Sequence, residues 1–280
     1  MAGVDGGPVA SPARRLVGMS VSELSVSAQN YLKVVWSLQE WSDAPVTATI
    51  VAERLQLRLS TVSEGIRKLA DQGLLEHARY GSISLTTEGR SHALTMIRRH
   101  RLLETFLVEV LQYGWDEVHD EAENLEHSVS DLMVERIDAM LGHPERDPHG
   151  DPIPSAAGEV SIPQAVLLSS LEAGKRVVVE RISDSDAELL KYFAAKGLTV
   201  GARLEIGESD PYSESMLLTV VDSDANTDRG QADATAGTAG SAGPVAAPFA
   251  LGPVAARAVW VTEAESFGNR ELRESRASGS

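Results

Sequence analysis

The sequence contains no cysteine among its 280 residues, which narrows the classes of protein to be considered. Disulfide bonds and zinc–thiolate sites are excluded, and a chain without thiols suits the reducing cytoplasm, where we expect this protein to act. Long apolar runs are also lacking, because charged residues interrupt every segment that approaches the ~18 residues of a membrane span. We therefore expect no membrane partner.

Basic residues are scarce, since 25 Lys and Arg stand against 41 Asp and Glu, giving a formal net charge of −16. This balance disfavours indiscriminate binding to polyanions. It leaves room for a local basic face, because recognition depends on where charges lie rather than on their sum.

The motifs of common enzymes are absent too: no Gly-rich phosphate loop, serine nucleophile elbow or His-Glu-x-x-His zincin spacing occurs, so we expect no enzyme.

The N-terminal part of the chain follows the order helix, helix, helix and hairpin. Ser25 or Ser27 can cap the first helix and Thr47 the second, because short hydroxyl side chains accept hydrogen bonds from the free N–H groups of a helix start. The third helix, at 60–70, has apolar residues every three or four positions, and residues 74–86 form two short strands around a basic turn. This layout predicts a winged helix-turn-helix that binds DNA.

Two long helices are predicted next, at 87–111 and 115–141, and they carry most of the residues able to bind a metal ion. Residues 116–138 hold nine acidic residues against one arginine, and such a helix repels itself unless a cation or a basic surface compensates. Three histidines and three carboxylates at helical spacing form two stripes of nitrogen and oxygen ligands suited to a divalent cation; a solvated acidic face is the alternative. These residues are His100 and Glu104 on the first helix and His119, Glu123, Glu126 and His127 on the second.

Beyond the helices, a proline-rich stretch is followed by short β segments with one helix between them. The predicted fold is mainly α with a small β part: an N-terminal winged helix-turn-helix, a helical domain and a C-terminal SH3-like β-barrel domain. The expected order is a disordered extension 1–22, the winged domain 23–90, the helical metal-binding domain 91–144, a Pro-rich linker 145–172, the SH3-like domain 173–265 with a disordered insertion 223–247, and a disordered tail 266–280.

Six short segments carry a resemblance to a known family. They are NYLK at 30–33, STVS at 60–63, RHRLLE at 99–104, VHDEA at 118–122 with EH at 126–127, and HGDPIP at 149–154. Together with the order of domains, they make the chain similar, over about residues 25–265, to the diphtheria toxin repressor (DtxR) and MntR family of metal-activated transcription regulators.

The resemblance implies that the helical domain at 91–144 is also the dimerisation domain and that the β-barrel is FeoA-like. It also implies two metal sites. The first comprises His100, Glu104 and His119, and a further ligand that some members take from the β-domain aligns with Asp186. The second comprises Asn30, Glu123, Glu126 and His127.

The ligand types in the second site favour manganese. Iron-responsive members carry sulfur ligands at the positions of Asn30 and Glu123, and the oxygen donors found here favour Mn²⁺ over iron, with Fe²⁺ or another divalent ion as the alternative. Lys33 stands where some relatives have an acid, which argues against a close two-metal cluster. The four remaining histidines lack partners at ligand spacing and are expected at the surface or in the hinge: His77, His92, His143 and His149.

For DNA, the resemblance places the third helix in the major groove. The residues implied closest to base edges and phosphates are Ser60, Thr61, Ser63 and Glu64, those implied on phosphates are Arg67, Lys68 and Arg79, and Tyr80 is implied on the wing. The alternative for Arg67 and Lys68 is that they are ordinary solvated helix residues.

The function that follows is a homodimeric, manganese-activated repressor that binds double-stranded operator DNA and controls metal-homeostasis genes. Metal binding would join the first helix of the winged domain, through Asn30, to the dimerisation domain. The alternatives are an iron-responsive regulator of the same family and a metal-buffering protein that does not bind DNA.

Overall fold

The computed structural model describes residues 20–77, 81–210, 212–222 and 247–264. The predicted extension as far as residue 19, the insertion at 223–246 and the tail lie outside the described residues, as do Arg79 and Tyr80. The chain divides into two compact units. The first contains the residues up to Leu103 with Glu123–Ile137 and Ile153–Val160, and the second contains Glu104–Ala122, Asp138–Pro152 and the residues from Ser161 onward.

The first unit begins with the winged helix-turn-helix that the sequence predicts. Its elements are α1 (Val26–Glu40), α2 (Ala48–Leu55), α3 (Leu59–Asp71), β1 (Leu75–His77) and β2 (Ile83–Leu85), and the two strands pair antiparallel. The Ser25 and Thr47 side chains cap α1 and α2 by accepting hydrogen bonds from backbone N–H groups, as predicted. Val62, Ile66 and Leu69 on α3 are buried, so the opposite face of this helix is left to solvent.

An ion pair inside the first unit joins α1 to α4 (Thr87–Glu109). The guanidinium of Arg101 donates to both carboxylate oxygens of Glu40, over 2.8 and 2.6 Å, and both side chains are buried. A two-pronged arginine–carboxylate pair of this kind fixes orientation as well as distance. Helix α4 is therefore held in register with the first helix of the winged domain.

The single helix predicted at 115–141 is wrong. The structure has two helices, α5 (Val118–Leu125) and α6 (Asp131–Met140). The N–H groups of Ser128 and Val129 bond back to the Leu125 carbonyl, and Ser130 accepts a hydrogen bond from the Met133 N–H to start α6. Serine competes for backbone hydrogen bonds in this way and favours helix starts. Glu126 and His127 consequently lie in a turn rather than on a continuous helical stripe.

The second unit contains a six-stranded antiparallel sheet of the SH3-like kind. The strands β3 (Val166–Leu167), β4 (Arg176–Ile182), β5 (Arg203–Gly207), β6 (Met216–Asp222), β7 (Phe249–Leu251) and β8 (Val259–Glu263) are ordered β3-β8-β4-β5-β6-β7. Helices α7 (Ala187–Ala195) and α8 (Pro253–Ala256) accompany them. Inward residues such as Val177, Leu204 and Val261 are fully buried and form the core with Phe193 of α7.

The proline-rich hinge is attached to β4 by several contacts. Gly150 has φ +90°, and a Cβ at this position would lie 2.0 Å from the Glu180 carbonyl oxygen, so only glycine allows so close an approach. Beside it, Arg181 donates to Asp151 over 2.6 Å and Arg146 to the Glu180 carboxylate over 2.6 Å. The hinge is thus packed against β4.

In the described part of the chain, no helix is both long and apolar enough to cross a membrane.

Candidate metal centre

The first candidate metal cluster lies in the second unit and consists of Glu104, His119 and Asp184. Glu104 is near the end of α4, His119 opens α5, and Asp184 is in the loop before α7. His119 Nδ1 lies 3.1 Å from Glu104 Oε1 and 3.0 Å from Asp184 Oδ2. Each residue offers one ligand atom within 4.8 Å of the others. A nitrogen and two carboxylate oxygens at this spacing match the ligand types of a divalent cation.

The charges in this cluster are unbalanced without a cation. Burial alone would lower the pKa of His119, but the hydrogen bonds and charges of Asp184 and Glu104 outweigh it and raise the pKa to about 11. Burial would raise the pKa of Asp184, yet the hydrogen bond and charge of His119 keep it well below the ordinary value. The carboxylates of Asp184 and Glu104 therefore favour a positive charge between them, which a proton or a metal ion can supply.

Asp186, expected from the resemblance to complete this site, has another role. Its side chain caps α7 by accepting hydrogen bonds from the N–H groups of Glu188 and Leu189, over 3.0 and 3.1 Å. Asp184 reaches His119 instead, so the prediction is corrected by two residues. The physical reason is that a carboxylate one residue before a helix satisfies the free N–H groups of its first turn.

His149 lies beside Glu104, contrary to the expectation of a surface or hinge position for its side chain. The ring is fully buried and stacks on Trp115, and its Nε2 donates to the Trp115 carbonyl over 2.7 Å. Nδ1 is left as an acceptor, without a hydrogen-bond partner among the described residues and 4.0 Å from Glu104 Oε2. Asp147, His149 and Glu104 also offer ligand atoms within 4.8 Å of one another. His92 is buried too, whereas the side chain of His143 is exposed as expected.

The second cluster lies in the first unit and brings together His100, Glu123 and Glu126, whose ligand atoms are within 4.8 Å of one another. His100 Nδ1 lies 2.7 Å from Glu126 Oε2. Lys33 of α1 enters the same cluster: its Nζ donates to Glu123 Oε1 over 2.5 Å and to both Glu126 oxygens over 2.8 Å. The resemblance singled out Lys33 as a departure from an acid, but its burial among these carboxylates was not predicted, because a lysine on a helix is ordinarily solvated.

Burial and charge act in opposite directions in this second cluster. Burial would lower the pKa of Lys33, but the charges of Glu126 and Glu123 outweigh it, so the pKa is raised. Burial would raise the pKa of Glu126, yet its contacts with His100 and Lys33 lower it. The ammonium of Lys33 and the carboxylate of Glu126 therefore each favour the charged form of the other.

His127 and Asn30, the other predicted ligands of the second site, border this cluster. Gln29 donates from Nε2 to the Val21 and Leu24 carbonyls, so its Oε1 accepts from His127 Nδ1 over 2.7 Å. His127 Nε2 is then left 3.5 Å from Glu126 Oε1. Asn30 Oδ1 is buried and has no hydrogen-bond partner among the described residues, which suits an oxygen ligand.

A divalent ion and the Lys33 ammonium do not fit into the second cluster together. Hard divalent ions sit at roughly 2.0–2.6 Å from carboxylate oxygens. The same oxygens of Glu123 and Glu126 already contact Nζ at 2.5–2.8 Å. The ligand atoms for a metal ion are present, but the Lys33 ammonium already lies between them.

The exposed face of α3 carries the described residues that were predicted to bind DNA. Tyr31 of α1 packs its ring against Gly65, where a Cβ would come within 2.7 Å, and its hydroxyl donates to the Thr61 carbonyl over 3.4 Å. These contacts set α3 on α1 so that its polar side points outward. The exposed residues on that side are Ser60, Thr61, Ser63, Glu64, Arg67 and Lys68.

Comparison with known proteins gives the class to which these features belong. Residues 23–83 match the family model of the iron dependent repressor N-terminal DNA binding domain. Residues 86–155 match the iron dependent repressor metal binding and dimerisation domain, and residues 166–234 match the FeoA domain. The chain is thus of the class of metal-dependent transcriptional repressors that bind DNA, a class of regulators rather than enzymes.

Whole-chain relatives identify the family. The iron-dependent repressor IdeR of Mycobacterium leprae is 32% identical over 211 residues, 71% of this chain and 90% of the relative. The diphtheria toxin repressor of Corynebacterium glutamicum is 31% identical over 197 residues, 66% of this chain and 86% of the relative. A solved manganese-dependent transcriptional repressor in complex with manganese is 46% identical, with a TM-score of 0.73, and covers 85% of this chain and 100% of that one. The chain belongs to the DtxR/MntR family.

Proposed function

We propose that this chain is a manganese-activated repressor, and that its activating ion is held by Glu104, His119 and Asp184. His100, one turn before Glu104 on α4, is assigned to the same set by the resemblance. The bound ion would supply positive charge to the carboxylates. The observation that carries the proposal is the pair of carboxylates around His119, whose pKa they raise to about 11. A site that retains a proton so strongly has charge for a divalent ion to neutralise.

The preference for manganese over iron is also proposed. The donors are carboxylate oxygens and imidazole nitrogen, the chain has no cysteine, and none of the predicted ligands is a methionine. Oxygen-rich sets favour harder ions. The solved relative at 46% identity is a manganese-dependent repressor, while relatives near 32% identity are named iron-dependent, so iron is the second candidate.

The route from metal to DNA runs along α4. This helix carries Glu104 near its end, and Arg101 on the same helix is paired to Glu40 of α1, the first helix of the winged domain. We infer that a metal ion that orders the C-terminal end of α4 favours one placement of α3 for the major groove. Coupling of this kind is typically about 1–3 kcal/mol, or about 5–150-fold in DNA affinity.

We also infer that the protein forms a homodimer in the cytoplasm. Helix α6 leaves Leu132, Met133 and Met140 between 46 and 62% exposed, although α6 lies in the region matched by the dimerisation-domain model. Exposed apolar side chains grouped on one helix often form a dimer interface. Two copies of α3 could then read two half-sites of one operator.

The experiment starts by selecting duplexes from a random-sequence DNA pool with the full-length protein in Mn²⁺. Affinity for a selected duplex is then measured by fluorescence anisotropy with Mn²⁺, Fe²⁺ or EDTA at buffered free-ion concentrations. We expect Mn²⁺ to raise the affinity at least about fivefold over EDTA. The Asp184→Asn variant should lose this response and the matched Asp186→Asn variant should keep it, because Asn still caps a helix.

Other outcomes separate the alternatives. Activation at lower free Fe²⁺ than Mn²⁺ would make iron the effector. DNA affinity that is equal in EDTA and in Mn²⁺ would refute the switch. Failure to enrich any duplex, together with tight Mn²⁺ binding, would favour a metal-buffering protein.

A further inference from the structure

Lys33 is the least exposed lysine among the described residues, and it is aimed at acids rather than at solvent. Its side chain is 9% exposed and that of Glu126 is fully buried. The Nζ atom contacts three carboxylate oxygens of Glu123 and Glu126 and lies 3.3 Å from His100 Nδ1. The ammonium thus occupies the position between these side chains that a bound metal ion would take.

Buried carboxylates without a cation are costly, and removing one member of a buried ion pair is strongly destabilising. Glu123 and Glu126 bring two negative charges, and Lys33 brings one positive charge into contact with both. The chain itself therefore offsets one of the two charges and supplies a cation to the fully buried carboxylate of Glu126. A divalent ion could enter only if Lys33 withdrew its ammonium, which would first leave the carboxylates without their cation.

We propose that Lys33 is the resident cation of the second cluster, and that it closes this cluster to divalent ions and fastens α1 to residues 123–126 whether or not metal is present. One metal ion then binds per chain, at Glu104, His119 and Asp184. The count of one rests on the proposed function; the closing of the second cluster by Lys33 does not.

The same contacts explain what Lys33 would contribute to DNA binding. It belongs to α1, against which α3 is set by Tyr31, and Glu123 and Glu126 belong to the region matched by the metal-binding and dimerisation model. A fixed ammonium in this position holds the winged domain to that region permanently. Metal then acts through the first cluster alone, and the chain is a one-ion sensor.

The test counts bound Mn²⁺ by equilibrium dialysis, with bound ion measured by atomic absorption. The full-length protein is compared with Lys33→Met, which removes the charge but keeps most of the length, and with Lys33→Arg, which keeps the charge. Lys191→Met, at an exposed lysine paired with Glu188, is the matched control. We expect one ion per chain for the wild type, Lys33→Arg and Lys191→Met. Lys33→Met should bind two, because Asn30, Glu123, Glu126 and His127 become available, and adding Glu126→Gln to it should restore one.

A second variant keeps Lys33 and removes the first cluster. Glu104→Gln/His119→Gln should bind no Mn²⁺, and one remaining ion would show that the second cluster is open despite Lys33. Two ions bound to the wild type, or one ion bound both to the wild type and to a folded Lys33→Met, would overturn the proposal. No ion bound to the wild type, with one ion bound to Lys33→Met, would instead refute the proposed metal site while supporting the role of Lys33.

Discussion

Removing one partner of the buried pair Glu40–Arg101 should destabilise the first unit strongly. Both side chains are 6% exposed or less, and the pair makes two hydrogen bonds. Glu40→Leu removes the two carboxylate acceptors of the buried guanidinium, and Arg101→Met removes the two hydrogen bonds that the buried carboxylate accepts from it. Breaking such a pair costs about 3–5 kcal/mol, whereas replacing both partners by apolar residues is close to neutral or stabilising by up to about 4 kcal/mol.

Urea unfolding of the two single variants and the double variant, followed by circular dichroism at 222 nm in EDTA, gives the free energy of unfolding for each. We expect each single variant to lose about 3–5 kcal/mol and the double variant to recover most of it, which is a coupling of several kcal/mol. Single losses below about 1 kcal/mol, or losses that simply add in the double variant, would refute the view that this pair holds α4 to α1.

Four further predictions concern other parts of the chain. Burial lowers the pKa of His92 below its ordinary 6.5, so the unfolded chain takes up this proton first as the pH falls; the free energy of unfolding should therefore drop between pH 7 and 5, and less so in His92→Gln. Gly89→Ala should cost about 1–3 kcal/mol because its Cβ would lie 1.9 Å from the Leu74 carbonyl oxygen, whereas Gly252→Ala, with nothing within 4 Å, should stay within about 0.5 kcal/mol in the same urea assay. Asp184→Asn should weaken Mn²⁺ binding at least about tenfold by equilibrium dialysis, and Asp186→Asn should leave it unchanged. Lys68→Ala should reduce the slope of log affinity for a selected duplex against log salt by about 1, and an unchanged slope would remove Lys68 from the phosphate contacts.

Local patterns predicted most of the fold. Hydroxyl caps at Ser25 and Thr47 and the apolar stripe of α3 depend on near neighbours in sequence, and the structure confirms them. The prediction of one long helix at 115–141 was wrong because acidic residues with helical periodicity extend across the break between α5 and α6. The capping preference of Ser130 is weaker evidence in a sequence than seven turns of apparent periodicity.

The site was less predictable because it depends on contacts between distant segments. Asp184 and Asp186 are equivalent acids in the sequence, and only the start of α7 decides which of them caps the helix and which reaches His119. Lys33 lies 90 residues from Glu123, so no local pattern could show that it is buried there. His149 was missed for the same reason, although the adjacent Gly150 marks a close backbone approach.

The central claim is that a manganese ion binds among Glu104, His119 and Asp184. Anomalous scattering near the manganese absorption edge, from a crystal of the full-length protein grown with Mn²⁺, tests it most directly. The account predicts one strong peak per chain between these three side chains and no peak beside Lys33. A peak among Glu123, Glu126 and His127, with none at His119, would contradict it.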